Sequence, residues 1–255
     1  TELNLNDEQF ERLKSYYIDR YIDNMSMKDF AEYVRLPQSV LMGQKITEGR
    51  YNNSPCINIP YLNSRQQRIQ TQVRLSINGS NKWAWLDYKR PAFYGLHRIP
   101  RNRKIDKLLI VEGATDVLVA NYNNVLAVGV AGAKNFNPEM LADLPLDNIE
   151  SFYILNEQDT GGESFIKSFE DLIDNTTDFT SKCKVFNLGE HKDLLELWKS
   201  FNSEGITTSF GNAVKASLEK AVALGTESDL FSDEVPEVDS ISENAEIPDN
   251  SDPVP

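Results

Sequence analysis

The chain has 255 residues, of which 40% are hydrophobic and 10% aromatic, enough for one large or two small domains with substantial cores. Its two cysteines, Cys56 and Cys183, lie far apart without a CxxC pair, so neither a zinc ribbon nor a disulfide framework is indicated. No apolar run approaches the length of a membrane span and no signal peptide precedes the first helix, so we expect a cytoplasmic protein that does not contact membranes. The opening residues are typical of the middle of a protein, and we therefore expect a fragment of a longer chain.

The net charge of −13 is divided into three unlike blocks. Between Arg50 and Lys107 there are twelve Lys and Arg residues against two acidic ones, whereas residues 108–200 carry sixteen acidic residues against six bases. Residues 226–255 contain ten acidic residues and no basic ones, a composition typical of a disordered tail or linker. The basic block with its interleaved aromatics fits either a nucleic-acid track or an ordinary sheet with a solvated charged face.

Residues 1–49 are predicted to form a helical N-terminal segment. Asn6-Asp7 caps apolar positions that follow helical spacing as far as Ile22, and a second helix begins near Ser26 and ends before Pro37. A short third turn follows. We assign these helices to packing and not to chemistry.

Residues 50–104 alternate between apolar and polar positions at a period of two, which predicts a basic antiparallel β subdomain. Turn residues, Asn63-Ser64 and Asn78-Gly79, separate the strands. The predicted strands are Cys56–Tyr61, Ile69–Leu75 and Lys82–Leu86.

Residues 105–201 switch to alternating strands and helices, which predicts an α/β unit with a mostly parallel sheet covered on both faces. A C-terminal helix is expected within 202–225, followed by the disordered acidic tail, 226–255. The predicted strands are Leu108–Val111, Val125–Val128, Ser151–Leu155 and Lys184–Leu188, and the helices lie near Thr115–Tyr122, Pro138–Leu141, Gly162–Asp174 and Leu194–Phe201.

A buried strand delivers Glu112 to its carboxyl end, and the first turn of the next helix, which Thr115 is expected to cap, delivers Asp116 beside it. In open α/β sheets ligands bind at that edge. Taken alone, the pair also fits a surface Glu and an Asp placed favourably at a helix N-terminus.

Further carboxylates follow the later strands. Glu157 and Asp159 come directly after one strand and before Gly161-Gly162, and Lys192-Asp193 follows the next. Four or five carboxylates would thus meet at one sheet edge, where they repel each other unless a cation is present. Ligand sets made only of oxygen suit Mg²⁺ or Mn²⁺, so the sequence predicts such a site.

These three acidic motifs resemble those of the Toprim domain, with Glu157 where the family's second motif usually has Asp. Ile57–Tyr61, Arg74 and the run from Lys89 to Leu96 (Lys-Arg-Pro-Ala-Phe-Tyr-Gly-Leu) resemble the basic half of the DnaG-type primase catalytic core. The stretch 27–200 is similar to the primase segment of phage, plasmid and mobile-element primases and primase–helicases. The resemblance implies a Toprim-type, mostly parallel sheet flanked by helices and preceded by a mixed α+β basic subdomain.

The resemblance also implies metal-dependent synthesis of primers from nucleotide triphosphates on a single-stranded DNA template. Glu112 and Asp116 would be catalytic, with Asp116 supporting Glu112, and divalent metal would be held by Glu157 and Asp159 together with Glu112 and Asp193. The residues expected to hold template or nucleotide phosphates are Arg74, Lys89, Arg90 and Lys134.

Two other functions remain open from the sequence: a Toprim nuclease that hydrolyses a phosphodiester with the same metals, and a nucleic-acid-binding module with a vestigial metal site. A topoisomerase is disfavoured because the chain has no room for a strand-passage domain. Primases of this family normally work with a zinc-binding domain and often with a helicase, so both are expected partners, fused or separate.

Overall fold

The computed structural model describes residues 6, 9, 25–79, 81–172, 177–203 and 209–225. The helix predicted to follow Asn6-Asp7 and the acidic tail predicted for 226–255 lie outside the described residues. Within the described part, no helix is long and apolar enough to cross a membrane. The helices are α1 (Met27–Val34), α2 (Gln38–Gly43), α3 (Ala114–Tyr122), α4 (Thr160–Glu170), α5 (Thr177–Thr180), α6 (Leu194–Ser203) and α7 (Ser209–Glu219).

The basic block forms a four-stranded antiparallel sheet with strands in chain order. Its strands are β1 (Thr47–Tyr51), β2 (Ser54–Leu62), β3 (Arg68–Arg74) and β4 (Trp83–Trp85). The last three correspond to the predicted strands. β1 was not predicted, because it lies mostly within the segment expected to be helical and its sequence, TEGRY, has no apolar alternation.

The second sheet has five strands, β5 (Ile105–Glu112), β6 (Ala127–Val130), β7 (Ile149–Leu155), β8 (Cys183–Phe186) and β9 (Val222–Ala223). Their order across the sheet is β6-β5-β7-β8-β9. Strands β5 to β8 run parallel to one another, and β9 pairs antiparallel with β8. The expected α/β class, with a mostly parallel sheet flanked by helices, is confirmed.

Strand β5 is buried on both faces, as its unbroken apolar run predicts. Leu109 and Val111 point into one core, which also contains residues of α1, β2, α3, α6 and α7. Leu108 and Ile110 point into a second core, formed with α4 and the 3₁₀ turn Pro138–Asp143. The antiparallel sheet therefore shares its core with one face of the parallel sheet.

Several element ends differ from the prediction. β6 begins two residues later than expected, because pairing with β5 starts at Ala127. Residues 209–225 contain a helix that ends at Glu219 and then strand β9, so the apolar Val222 pairs in the sheet and does not extend the helix. Thr115 lies inside α3, whose N-cap is Gly113 with no side-chain hydrogen bond, so the expected threonine cap is wrong.

One backbone contact joins the end of the basic block to the parallel sheet. Tyr94 and Gly129 exchange hydrogen bonds of 2.8 Å and 3.0 Å between their N–H and C=O groups. Gly129 has no room for a side chain, since a Cβ there would lie 2.3 Å from the carbonyl oxygen of Gly113. This tight approach sets β6 against the turn that follows Glu112.

Candidate active site at the strand ends of the parallel sheet

The structure brings acidic side chains from three loops to one edge of the parallel sheet. Glu112 is the last residue of β5, and Glu157 and Asp159 follow β7, its neighbour. Asp193 lies just before α6, after the loop that leaves β8. Their shared edge follows from the parallel pairing, which aligns the carboxyl ends of adjacent strands.

Lys192 joins two of these carboxylates. Its Nζ lies 2.7 Å from Oδ2 of Asp159 and 3.3 Å from Oε2 of Glu157. Hydrogen bonding to Asp159 raises the pKa of Lys192, so the ammonium stays charged. The sequence predicted Lys192 only as a neighbour of Asp193, whereas the structure makes its ammonium the cation inside the acidic cluster.

Asp159 caps the N-terminus of α4. Its Oδ1 accepts hydrogen bonds of 2.8 Å and 2.9 Å from the backbone N–H groups of Gly161 and Gly162. The Lys192 contact and these N–H donors hold the pKa of Asp159 below its ordinary value, so this carboxylate is ionised. Gly162 leaves no room for a side chain, because a Cβ there would meet the carbonyl oxygen of Glu157 at 1.8 Å.

The buried carboxyls hold their protons more tightly. Burial, reinforced by the charges of Glu112 and Asp193, raises the pKa of Glu157 to about 8, although Lys192 opposes the shift. Burial and the charge of Asp159 raise the pKa of Glu112, and Lys192 and the backbone N–H of Ala133 oppose this. Oε1 of Glu112 is buried and has no hydrogen-bond partner among the described residues.

Asp116 makes a contact with α6 that the sequence did not predict. It is 4% exposed, and its Oδ1 accepts a 3.0 Å hydrogen bond from the backbone N–H of Leu195 in α6. Asp193 in turn accepts a 2.7 Å bond from the N–H of Glu196. Burial raises the pKa of both aspartates, and the charge of Asp193 adds to the shift at Asp116. The contact with Leu195 ties the first acidic motif to the helix that carries the third.

The donor chemistry of this edge fits a hard divalent cation. All the candidate ligands are carboxylates. The pKa values of Glu112 and Glu157 are raised by burial and by neighbouring carboxylate charges, and Oε1 of Glu112 has no hydrogen-bond partner among the described residues. Within the described ranges, however, no group of three or more Asp, Glu, His or Cys side chains is arranged to hold a metal ion. The ammonium of Lys192 supplies the positive charge in this arrangement.

Arg74 lies in a neighbouring cluster that the sequence did not fully predict. It is only 3% exposed, and its guanidinium carbon lies 4.5 Å from the ring centroid of Trp83 and 5.0 Å from that of Tyr33. Nζ of Lys199, on α6, lies 3.9 Å from the Tyr33 ring centroid. Burial, with the charges of Arg35 and Arg74, lowers the pKa of Lys199, and Asp193 opposes this.

Lys199 therefore lies between the cationic cluster and the acidic edge. Sequence reasoning missed both Lys199 and Tyr33, whose only signal was their place on amphipathic helices. Tyr33 and Lys199 are far apart in the chain, so no local pattern could pair them.

Among the described residues, no ion pair joins Lys89, Arg90 or Lys134 to the carboxylates of the site. Lys89 and Lys134 are exposed, and Lys134 sits in a 3₁₀ turn beside Ala133. The guanidinium of Arg90 pairs with Asp143 at 2.7 Å, so this side chain is already engaged.

Comparison with known structures gives the fold a precedent. A structure of the DnaG primase catalytic domain bound to single-stranded DNA superposes with a TM-score of 0.58 at 16% identity, covering 90% of this chain and 85% of that one. The Escherichia coli primase catalytic core superposes with a TM-score of 0.59 at 15% identity, covering 88% of this chain and 81% of that one. The RNA polymerase domain of Mycobacterium tuberculosis primase DnaG superposes with a TM-score of 0.56 at 12% identity, covering 84% of this chain and 82% of that one. The chain has the fold of the DnaG-type primase catalytic core.

The primase-core fold covers both sheets of this chain, since the matched regions include most of its length. At these identities the likeness concerns the fold. A family of unknown function, DUF7326, matches residues 1–36. No curated protein matches the chain.

Proposed function

We propose that this protein is a DNA primase core that joins nucleotides into short oligonucleotides on a single-stranded DNA template. The observation that carries the proposal is the Lys192 ammonium held between Glu157 and Asp159, at the strand ends of a primase-core fold. A cluster of carboxylates that already holds one cation, and whose buried members keep raised pKa values without a metal, is suited to binding divalent metal.

The residues that would hold Mg²⁺ or Mn²⁺ are Glu157, Asp159, Glu112 and Asp193. The metal, when bound, would neutralise phosphate oxygens of the incoming nucleotide and stabilise the attacking and leaving oxygens. Lys192 would leave its present contacts, which its 51% exposed side chain permits. Loading would also release protons, because ligating carboxyls must be ionised and Glu157 has a pKa of about 8.

Glu112 and Asp116 would have different roles. The unpaired Oε1 of Glu112 is available to accept a proton from an attacking hydroxyl or to contact the metal. Asp116 would act as a positioning residue, since its hydrogen bond to Leu195 holds the start of α6 and with it Asp193.

The cationic residues would hold phosphates across the cleft. Arg74 is 3% exposed and packed against Tyr33 and Trp83, so its guanidinium would have to move outward to contact a phosphate. Lys199 would extend this surface toward the carboxylates. Lys89, Arg90 and Lys134 would contact the template or nucleotide further out, where Arg90 would have to exchange Asp143 for a phosphate. The list of proposed phosphate contacts is thus Arg74, Lys89, Arg90, Lys134 and Lys199.

We further propose that residues 50–104 form the basic half of the core and 105–201 its Toprim half. The acidic tail, 226–255, would be a linker. A zinc-binding domain and a helicase, fused or separate, would supply template selection and translocation, as in the phage and mobile-element proteins that the sequence resembles.

Primer synthesis is tested with labelled nucleotides, a mixed-sequence single-stranded DNA and Mg²⁺ or Mn²⁺, with products resolved on a sequencing gel. Short labelled oligonucleotides are expected from the wild type. Asp159→Asn and Glu112→Gln should lose them, whereas Glu190→Gln, which changes a 91% exposed carboxylate, should not.

The same gel distinguishes the other functions. Metal-dependent shortening of an end-labelled template without synthesis would replace the proposal with a nuclease. Salt-sensitive binding of the template with neither activity, including after a zinc-binding domain is added, would reduce the protein to a binding module.

A further inference from the structure

A cavity of about 270 Å³ lies between the end of β4 and the loop that follows β6. Its volume is near the lower end of the roughly 300–1,000 Å³ of small-molecule pockets, suited to one flat ring system. Both sheets contribute to its wall. The lining includes Gln70, Trp85, Tyr88, Pro91, Ala131 and Asn135.

Two aromatic rings form one side of the cavity. The ring centroids of Trp85 and Tyr88 lie 5.1 Å apart with the planes at 60°, and Tyr61 packs against Trp85 from behind. Tyr88 is 54% exposed, and Trp85 is its one ring partner among the described residues. An exposed ring supported by a second, fixed ring is a ready surface for stacking another aromatic group.

Gln70 provides an unpaired polar group in the wall. It is fully buried, and its Oε1 accepts hydrogen bonds from the backbone N–H groups of Lys89 (3.1 Å) and Arg90 (3.2 Å), which fixes the orientation of the amide. Nε2 has no partner among the described residues. A buried donor without an acceptor is unfavourable, and a ligand that brings an acceptor would remove that cost.

The cavity adjoins the carboxylate edge through a shared loop. Ala131 and Asn135 line the cavity, while the backbone N–H of Ala133, between them, lies near enough to Glu112 to lower the pKa of its carboxyl. On the other side, the exposed Lys89 directly follows Tyr88. A ring bound in the cavity would therefore have a cation beside it and the acidic edge within one short loop.

We propose that this cavity binds a single unpaired nucleobase, stacked on Tyr88 and Trp85 and hydrogen-bonded by Nε2 of Gln70. A nucleobase fits each feature: it is flat and aromatic, every base has an acceptor atom for Nε2, and its attached phosphate is attracted to Lys89. The proposal rests on the proposed function, and it names how that site would orient a base. The base can belong to the template strand or to an incoming nucleotide.

The test uses the full chain in EDTA with a short single-stranded DNA that contains 2-aminopurine, a fluorescent base whose emission falls on stacking. Binding to the wild type should quench the emission. Tyr88→Ala should remove most of the quenching and weaken binding by about 5- to 150-fold, the range that corresponds to loss of one base–aromatic stack. Tyr88→Phe should bind as the wild type does.

Tyr122→Ala is the matched control, since Tyr122 is also exposed (42%) and also packs edge-on against a tryptophan, at 5.7 Å from Trp198. It should bind as the wild type does.

The nucleoside triphosphate of 2-aminopurine, tested alone, identifies the source of the base. Quenching that depends on Tyr88 supports the pocket whether it is seen with the strand or with the free nucleotide.

Equal quenching and affinity in the wild type and Tyr88→Ala, for both strand and nucleotide, would overturn the proposal. So would an abasic strand that competes as strongly as the intact one, since binding would then depend on phosphates alone. Because the assay contains no metal and requires no synthesis, its result is independent of whether the protein makes primers.

Discussion

The buried carboxyl of Glu157 makes a quantitative prediction about the metal-free protein. Burial and two neighbouring carboxylates raise its pKa from 4.5 to about 8. A group whose folded-state pKa is raised stabilises the fold while it is protonated, so its contribution is fully present below about pH 4.5 and is lost as the pH rises through about 8. Glu157→Gln mimics the protonated form at every pH and should abolish this loss.

The size of the effect follows from the pKa. Each tenfold change in proton affinity corresponds to about 1.4 kcal/mol. The shift of the pKa to about 8 therefore limits the stability lost on ionisation of Glu157 to about 5 kcal/mol. The side chain of Lys192 is 51% exposed and can move to stay close to the ionised carboxylate, which reduces the loss. We therefore expect a loss of unfolding free energy of about 1–3 kcal/mol. In EDTA at pH 9, Glu157→Gln should therefore unfold at a higher temperature than the wild type, by about 2–4 °C per kcal/mol.

The assay is thermal or urea unfolding between pH 4.5 and 9 in EDTA, with Glu190→Gln as the control for removing an exposed carboxylate. The two Glu157 forms should be equally stable at pH 4.5 and diverge above it. Saturating Mg²⁺ should stabilise the wild type by about 3 kcal/mol at a hundred times its dissociation constant, and the Gln form much less. A Glu157→Gln variant that is less stable than the wild type at pH 9 in EDTA would refute the reasoning.

Two further predictions concern packing and a buried imidazole. Gly162→Ala should lower the unfolding free energy by about 1–3 kcal/mol, because the added Cβ would overlap the carbonyl of Glu157. Gly43→Ala, with open space around it, is the control and should be neutral or stabilising. Equal melting points for the two variants would contradict this prediction. Burial, aided by nearby cations, lowers the pKa of His97 to about 4, so stability should fall by about 1–2 kcal/mol, discounted for partial exposure, as the pH drops from 6.5 to 4. His97→Gln should flatten that dependence in urea titrations, and parallel curves would exclude His97 as its source.

Much of the parallel sheet could be predicted because its signals are local. Apolar runs marked β5 and β7, and parallel pairing then brought Glu112 and Glu157 to one edge. The sequence could not predict β1, whose polar residues become a strand only by pairing with β2.

The charge pattern predicted an acidic wall beside a basic block but not how the charges pair. The ammonium of Lys192 lies inside the acidic wall, and Arg90 is held by Asp143. Such pairings depend on side chains from distant elements meeting in space. The same reason hid the contact of Asp116 with Leu195, which no spacing in either helix indicates.

The central claim is that divalent metal bound by this carboxylate edge supports nucleotidyl transfer. Asp159→Cys tests it most directly, since Asp159 is partly exposed and a thiolate binds softer metals in preference to Mg²⁺. We predict that the wild type synthesises dinucleotides on single-stranded DNA with Mg²⁺ and that Asp159→Cys does not. Mn²⁺ or Cd²⁺ should partly restore synthesis by Asp159→Cys. Full activity of Asp159→Cys with Mg²⁺, or no synthesis by the wild type with any of these metals, would contradict the account.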